Sequence, residues 1–293
     1  MKAMILAAGL GTRLLPYSLV RPKPLFPVCN RPLLLHTIDR LRDAGFQTIV
    51  INCHHLAEQI QGTLTGLDNI IVQHERDILG TGGGLRKALS HFGNEPVLVT
   101  NGDIYHTVDL KDIYKKHRAG RNDVTLVMHD YPRFNLVSVD QQSRVTGFDS
   151  LPNKAPDRLM AFTGIHVINP AVLQLIPAER HYSIIECYSR WLKQGNAIHA
   201  LEVENIFWSD MGAPEDYLRL HGDILSANDK SGRNQSPFLV AETAQLGKNV
   251  HWQDWACIGQ HASIGDNATV CRSVVWDGAV IKENEHVCDA IVT

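Results

Sequence analysis

The sequence lacks a long apolar segment, a run of basic residues and cysteines at paired spacing. No apolar stretch approaches the roughly 20 residues that a membrane-spanning helix needs. The start, MKAMILAAGLGTR, has neither the long apolar region nor the small-residue cleavage site of a signal peptide. These absences argue against membrane and secreted proteins, so we expect a cytoplasmic protein with no membrane partner.

The charges and the cysteines agree with this expectation. Basic residues occur in runs of no more than two and the net charge is −3, which argues against a nucleic-acid partner. The six cysteines have no C-x-x-C spacing, so we expect free thiols rather than disulfides or zinc ligands. The 293 residues, 44% of them hydrophobic, can bury one substantial core and a second small one.

A loop near the N-terminus has the composition of a phosphate-binding loop. It reads LAAGLGTRLLPYSLVRPKPL and directly follows a short apolar strand. Gly9 and Gly11 can take backbone conformations closed to other residues and let N–H groups approach an anion. Arg13 and Lys23 add positive charge to the same segment. G-x-G after a strand is a weak signal when taken alone, so the rest of the chain has to support this interpretation.

Apolar runs alternate with helical patterns in a way that is typical of a parallel sheet. Strands are predicted at residues 3–7, 48–52, 70–73 and 97–100, with helices near 33–44, 55–67 and 83–92. If the strand order is 3-2-1-4, the loops after the first and fourth strands meet at the topological switch point, where such sheets bind ligands. Further strands are predicted at residues 124–129, 136–139, 144–148 and 160–167.

The loop after the fourth strand carries a carboxylate, Asp103, in the string Asn101-Gly102-Asp103. A carboxylate beside a polyphosphate repels it unless a cation stands between them. Mg²⁺ is typically held by one or two carboxylates together with phosphate oxygens and water. Asp103 is therefore predicted to be a magnesium ligand, the alternative being an ordinary turn at the end of a strand.

Taken together, these segments resemble the signature motifs of the sugar-1-phosphate nucleotidylyltransferases. GLGTR, Pro16 and Pro22-Lys23-Pro24 are followed, in the family's order, by LGTGGGLRKAL, LVTNGD, FTGIHVI and WSDMGAPEDY. Within the family, the catalytic part is similar to N-acetylmuramate-1-phosphate uridylyltransferases and to mannose-1-phosphate guanylyltransferases. The resemblance implies a Rossmann-like mixed α/β sheet and an enzyme that combines a nucleoside triphosphate with a sugar 1-phosphate, releasing pyrophosphate.

The resemblance also implies roles for individual residues. The catalytic residues would be Arg13, Lys23, Asp103 and Asp210, of which Asp103 and Asp210 would hold Mg²⁺. Contacts to the nucleotide would come from Leu6, Ala7, Ala8, Gly9, Gly11, Thr12, Gly80, Thr81 and Gly82, and contacts to the sugar from Thr163 and Gly164. Read alone, Asp210 could instead cap a helix. The glycines from Gly80 to Gly84 could form a flexible entry turn, although three in succession indicate that something approaches their backbone closely.

Some features of the family are missing or left open. The family's sugar-phosphate lysine has no clear counterpart, and Lys154 in FDSLPNKAPDR is either its substitute or an exposed loop lysine. The motifs do not show whether the nucleotide is UTP or GTP, and they do not show which sugar 1-phosphate is used. A relative that binds nucleotide without turnover is the competing function. The presence of all four implied catalytic residues favours the enzyme.

The C-terminal part has a six-residue period. After a polar segment at 228–237, predicted to be a linker, one phase of the period is apolar except at Lys282, and the phase four places later is small or β-branched except at His286. This is the hexapeptide pattern of a left-handed parallel β-helix, here of about three coils. Lys282 and His286 indicate a frayed or capping last coil.

The expected organisation is therefore a catalytic domain at 1–227, the linker at 228–237 and a β-helix at 238–293. All the catalytic motifs precede the linker, so we expect the β-helix to mediate homo-oligomerisation and to be dispensable for the chemistry. Trp252 and Trp276 fall in the inward phase of the hexads and Trp255 does not. Large rings on a short solenoid could also cover a partner chain or the catalytic domain.

Overall fold

The computed structural model describes residues 1–148, 158–226 and 236–293. The strands are β1 Lys2–Leu6, β2 Pro27–Val28, β3 Arg31–Pro32, β4 Thr48–Cys53, β5 Ile70–His74, β6 Val97–Asn101, β7 Ile104–His106, β8 Val124–His129, β9 Asn135–Val139, β10 Val145–Gly147, β11 Arg158–Ile168, β12 His199–Glu202, β13 Trp208–Asp210, β14 Phe238–Val240, β15 Gln245–Leu246, β16 His251–Ile258, β17 Ser263–Ile264, β18 Thr269–Val275, β19 Val280–Ile281, β20 His286–Cys288 and β21 Ile291–Val292. The α-helices are α1 Tyr17–Val20, α2 Leu33–Asp43, α3 Ala57–Leu64, α4 Gly80–Lys87, α5 Leu89–Phe92, α6 Leu110–Gly120, α7 Ile184–Lys193 and α8 Pro214–Ser226. None of the helices in the described ranges is long and apolar enough to cross a membrane.

The described chain divides into two compact units. Unit 1 consists of Met1–Leu10 and Thr37–Trp208, and unit 2 of Gly11–His36 and Ser209–Thr293. This division differs from the expected boundary at residue 227, because residues 11–36 and α8 group with the C-terminal strands. Lys154 and residues 228–235 of the expected linker lie outside the described residues.

Unit 1 is built on a nine-stranded mixed sheet. The strand order is β10-β9-β11-β6-β1-β4-β5, and β8 and β12 continue the sheet beside β11. β1 pairs in parallel with both β4 and β6, and β4 pairs in parallel with β5. The predicted order of the first four strands, 3-2-1-4, is therefore confirmed. Ala3, Met4 and Ile5 of β1 are fully buried, as expected for a parallel strand covered on both faces.

β11 is a long antiparallel strand with three partners. Its first residues pair with β9, and its last residues pair with β6 on one side and β8 on the other. The register against β8 shifts between Phe162 and His166, which marks a β-bulge. Bulges are common next to ligand sites because they redirect side chains locally. The sequence predicts a strand here, but not its threefold pairing.

The C-terminal part of unit 2 consists of short parallel strands stacked in successive coils. β14, β16, β18 and β20 form one parallel sheet, and β15, β17 and β19 form another. Gln245 pairs with Ser263 and His251 with Thr269, so partners are 18 residues apart, the length of three hexads. The stacking has the spacing that the hexads predict, and the left-handed sense of the coils stays a prediction.

The hexad phase shifts by one residue within β18. Thr269 pairs with His286, which is 17 residues away rather than 18. The interior of the last coil is consequently filled by Val275 and Ile281, and Lys282 is exposed. Lys282 and His286 do not mark a frayed coil, because both lie on the outside of a paired coil whose phase has moved, and their interpretation as marks of a capping coil stays a prediction.

Trp255 and Trp276 are buried, and neither belongs to the interior of the coils. Trp276 packs edge-on against Phe26 with ring centroids 4.8 Å apart. Trp255 stacks on His221 of α8 at 6.3 Å. The assignment of Trp276 to the inward phase is wrong because of the phase shift. Both rings pack within unit 2, so they do not offer free surfaces to a partner chain.

Candidate functional site

A buried network of side chains holds the end of β1 in unit 1. Asn52 of β4 accepts a hydrogen bond from the backbone N–H of Ala7 (2.8 Å) and donates one to Glu75 (2.8 Å). Glu75 is fully buried and also accepts from the backbone N–H of Leu79 (3.1 Å). The network holds the backbone of Ala7, one of the residues predicted to contact the nucleotide. Asn52 and Glu75 were missed from sequence, where polar residues at the end of apolar strands were the available signal.

The glycines of α4 are required by the chain's own packing. A Cβ added to Gly83 would lie 2.5 Å from the carbonyl oxygen of Arg180, and one added to Gly82 would lie 3.0 Å from that of Tyr182. The backbone N–H of Gly82 donates to this Tyr182 oxygen (2.9 Å). The close approach inferred from the sequence is therefore made by the segment that precedes α7. Thr81 is exposed at the start of the helix.

Asp103 follows β6 in a turn that lies directly against β1. The backbone N–H of Gly102 donates to the carbonyl oxygen of Leu6 (2.8 Å), and a Cβ on Gly102 would lie 3.0 Å from that oxygen. A side chain at this position would push the turn away from β1. Asp103 is partly exposed and follows this contact by one residue, at the strand end where it was predicted.

The residues predicted to contact the sugar lie in the bulge of β11. Gly164 has a φ of +77°, and a Cβ there would lie 2.8 Å from the side-chain nitrogen of Asn101, beside the Asp103 turn. Thr163 is fully buried, its hydroxyl donates to the carbonyl oxygen of Val127 (2.8 Å), and its carbonyl accepts from the indole of Trp208 (3.0 Å). The side chain of Thr163 is therefore engaged inside the protein.

An aromatic cluster beside Thr163 was missed from sequence. The ring of Trp208 lies 4.8 Å from that of His129 and 5.3 Å from that of Tyr131, and Phe134 packs against both Tyr131 and Trp208. Burial lowers the pKa of His129, which keeps its ring neutral at pH 7. The cluster forms an apolar wall next to the bulge. Three of its members are close in sequence, but Trp208, which contacts all of them, lies far along the chain, so the sequence does not predict the cluster.

Unit 2 brings together three of the four predicted catalytic residues. Lys23 Nζ lies 3.6 Å from a carboxylate oxygen of Asp210, and both side chains are largely buried. A Cβ added to Gly212 would lie 2.9 Å from a guanidinium nitrogen of Arg13 and 2.9 Å from the other oxygen of Asp210. Gly11, with a φ of +65°, packs against Lys23. The structure thus places two cations around one carboxylate.

Magnesium fits the chemistry of the predicted ligands but has no ready-made protein cage. Across residues 1–148, 158–226 and 236–293, no group of three or more His, Cys, Asp or Glu side chains could hold a metal ion. Mg²⁺ usually keeps several waters and binds through one or two carboxylates plus substrate phosphates. Asp103 and Asp210 supply oxygen donors of this type.

The comparisons with known proteins now decide the family. The sequence profile of the family described as nucleotidyl transferase matches residues 2–227, which is most of the chain. The chain belongs to the nucleotidyl transferase family. The matched range coincides with the part assigned to catalysis from the sequence.

Relatives cover nearly the whole chain of this nucleotidyltransferase. Mannose-1-phosphate guanylyltransferase of Mycobacterium tuberculosis is 30% identical over 293 residues, spanning 96% of this chain and 81% of that protein. UTP–glucose-1-phosphate uridylyltransferase of Synechocystis is 26% identical over 325 residues, spanning 97% and 83%. The resemblance to sugar-1-phosphate nucleotidylyltransferases is thereby confirmed.

A solved structure shares the fold. HddC from Yersinia pseudotuberculosis superimposes with a TM-score of 0.63 at 23% identity, covering 75% of this chain and 97% of that one. At this identity the likeness concerns the fold alone. It confirms the expected α/β nucleotidyltransferase fold.

Proposed function

We propose that this enzyme transfers a nucleotidyl group from a nucleoside triphosphate to a sugar 1-phosphate and releases pyrophosphate. The convergence of Arg13, Lys23 and Asp210 in unit 2 carries the proposal. The names of the relatives, guanylyl- and uridylyltransferases of sugar 1-phosphates, support it. A relative that binds nucleotide without turnover would have no need to keep this charge arrangement.

The proposed chemistry needs charge neutralisation rather than a protein nucleophile. A phosphate oxygen of the sugar 1-phosphate attacks the α-phosphorus in line, and pyrophosphate leaves on the opposite side. Lys23 would offset negative charge at the α-phosphate. Arg13 would hold the departing pyrophosphate through bidentate hydrogen bonds. Both residues would also hold the reacting phosphates in position, which can supply a large part of the rate enhancement.

Magnesium binding is part of the same proposal. Asp103 and Asp210 would hold the ion, with the remaining positions taken by phosphate oxygens and water. A bound Mg²⁺ would polarise the phosphates and neutralise their charge. Lys23 pairs with Asp210 at 3.6 Å, so this lysine would also hold the carboxylate in place.

Substrate contacts are proposed from the two loops and the bulge. Gly11 and Thr12 would contact the phosphates, and the base would lie against the end of β1 and the start of α4. These base contacts would come from Leu6, Ala7, Ala8, Gly9, Gly80, Thr81 and Gly82. Gly164 and the backbone of Thr163 would contact the sugar. Because most of these contacts involve the backbone, base identity leaves little trace in the side chains.

The test is a matrix of nucleoside triphosphates against sugar 1-phosphates, with pyrophosphate release as the readout. We place GTP with mannose 1-phosphate first, because relatives of this name span nearly the whole chain. Arg13→Ala is the inactive control, and Arg13→Lys should also lower the rate strongly since an ammonium cannot reproduce the bidentate contact. Nucleotide binding without pyrophosphate release from any pair would favour the inactive relative.

The coils and the cellular location complete the proposal. We propose that the coils form a left-handed β-helix and that the chain self-associates through its first coil. Leu246 stacks on Ile264 within the coils, yet about half of its surface is exposed. Leu246→Lys should therefore lower the mass of the oligomer measured by light scattering.

All six cysteines are free, which supports a reducing, cytoplasmic location.

A further inference from the structure

A cluster of five residues in unit 2 joins the last coil to the loop that carries Lys23. Trp276 is 2% exposed, and its indole N–H donates to the hydroxyl of Tyr217 (3.2 Å), which in turn donates to the carbonyl oxygen of Pro27. Its ring packs edge-on against Phe26 and carries the guanidinium of Arg21 at 4.6 Å. With Asp277, these residues form the Trp276 cluster, whose members are Arg21, Phe26, Tyr217, Trp276 and Asp277.

The ion pair in this cluster is bifurcated, because one nitrogen is shared by two oxygens. One guanidinium nitrogen of Arg21 lies 2.8 Å and 2.9 Å from the two carboxylate oxygens of Asp277. The Arg21 side chain is only 21% exposed, since it lies against Trp276. A guanidinium that is paired with a carboxylate and stacked on an aromatic ring is held more firmly than a surface cation. Arg21 is therefore fixed relative to the coil.

Lys23 lies between two members of the cluster. Arg21 precedes it by two residues and Phe26 follows it by three, and a single turn of 3-10 helix, Lys23–Leu25, connects them. Lys23 itself is 7% exposed and reaches Asp210 at 3.6 Å. The coil therefore holds the chain on both sides of this short turn.

Further contacts hold the chain after this turn. The side-chain amide of Asn30 donates to the carbonyl oxygen of Ile258 (2.7 Å) and accepts from the thiol of Cys257 (3.1 Å). The backbone N–H of Cys29 donates to the ring nitrogen of His221 (3.2 Å). The loop is thus bonded to β16 and to α8, and the cluster is one part of a continuous contact.

We propose that the Trp276 cluster positions Lys23 for the reaction, so that the C-terminal coils contribute to catalysis without touching substrate. This rests on the proposed function, in which Lys23 acts at the α-phosphate. Arg21, Trp276 and Asp277 are then positioning residues. The proposal predicts the opposite of the expectation that the coils are dispensable for the chemistry.

The test uses the full chain with Arg21→Ala and Arg21→Lys. We expect kcat for pyrophosphate release to fall about tenfold to a hundredfold in Arg21→Ala, since small misplacements of catalytic groups cost factors of this size. The KM values should stay within about threefold, because Lys23 acts mainly in the transition state. Arg21→Lys should be intermediate, because it keeps the charge and loses the planar guanidinium that stacks on Trp276.

A double-variant cycle connects the effect to Lys23. In a Lys23→Ala background, Arg21→Ala should lower the residual kcat by less than about twofold, because the group it positions is gone. Arg272→Ala is the matched control. Arg272 also lies in the coils and pairs with two carboxylates, Asp254 and Asp289. The kcat of Arg272→Ala should equal that of the wild type. A loss in Arg21→Ala no larger than in this control would overturn the proposal.

A second readout does not depend on activity. The rate at which an amine-selective reagent labels Lys23, followed by mass spectrometry, should rise in Arg21→Ala and stay constant in Arg272→Ala. If labelling rises while Lys23→Ala keeps wild-type turnover, the cluster holds Lys23 and the role proposed for Lys23 is wrong. If Lys23→Ala is inactive while Arg21→Ala leaves both labelling and kcat unchanged, the positioning proposal is wrong.

Discussion

Trp276→Ala should destabilise the protein more than a typical core substitution. The ring is 2% exposed and contacts Phe26, Tyr217 and Arg21. Replacing a buried Trp or Phe by Ala costs about 3–5 kcal/mol, from lost transfer free energy and the cavity that is left. The lost cation–π contact adds about 0.5–1 kcal/mol. We expect a loss of about 4–5 kcal/mol in the free energy of unfolding, because these contributions overlap.

The expected effect can be measured by thermal and urea unfolding, followed by far-UV circular dichroism. Unfolding entropy is about 2.1 cal/mol/K per residue, so a loss of 4–5 kcal/mol lowers the midpoint by about 7 °C if all 293 residues unfold together. If unit 2 unfolds separately, the smaller number of residues makes the shift more than twice as large. The size of the shift therefore also reports whether the two units unfold cooperatively.

Two variants serve as controls for this measurement. Trp276→Phe keeps an aromatic ring and loses the hydrogen bond to Tyr217, so it should cost about 1–2 kcal/mol. Leu19→Ala removes a side chain that is 64% exposed and should leave the midpoint almost unchanged. A midpoint for Trp276→Ala within about 1 °C of that of Leu19→Ala would show that the Trp276 ring is not packed as described.

Three further predictions concern metal dependence, backbone packing and pH. Asp103→Ala should lower Mg²⁺-dependent turnover more than tenfold without moving the unfolding midpoint, and an increase of less than about 1.4 kcal/mol in the activation barrier would contradict a ligand role. Gly83→Ala should cost about 1–3 kcal/mol, because its Cβ meets a backbone oxygen at 2.5 Å, whereas Gly62→Ala, with open space in α3, should be neutral or stabilising; equal melting curves for the two would refute the packing. Burial lowers the pKa of three histidines from 6.5 to about 3 or 4, so the unfolded chain binds more protons below pH 6.5, and stability falls as the pH drops towards 4. These are His106, His166 and His221. Each of these histidines should lower the free energy of unfolding by about 1.4 kcal/mol at pH 5.5. A free energy of unfolding that does not change between pH 7 and 5.5 would contradict their burial.

The parallel half of the sheet could be predicted because its sequence signals are local and agree with one another. Each buried strand is a short apolar run, and each is followed by a loop or a helix of the right length. Position at the switch point then placed Gly9 and Asp103 at the ends of β1 and β6, which are neighbours in the sheet. The prediction worked because a parallel order with short crossovers leaves few alternatives.

The supports of the site could not be predicted in the same way. The contact of Asn52 with Ala7 and Glu75 depends on the register of three strands, and the wall formed by His129 and Trp208 joins residues from different parts of the chain. The glycine-rich start of α4 gave the correct inference that something approaches it closely. It could not say that the neighbour is the chain's own backbone.

The coils show how a shift of one residue can change a functional prediction. A hexad pattern assigns every sixth side chain to the interior. This assignment fails from β18 onwards, because the coil there is one residue shorter. Val275 then fills the interior and Trp276 turns outward onto Phe26. Both residues are apolar, so the sequence alone does not show which of the two faces the interior. With Trp276 inside, the coils would be a separate, removable domain. With Trp276 outside, truncation after Ala227 would expose Phe26 and Tyr217 and release the turn that holds Lys23, so the truncated chain should lose nucleotidyl transfer.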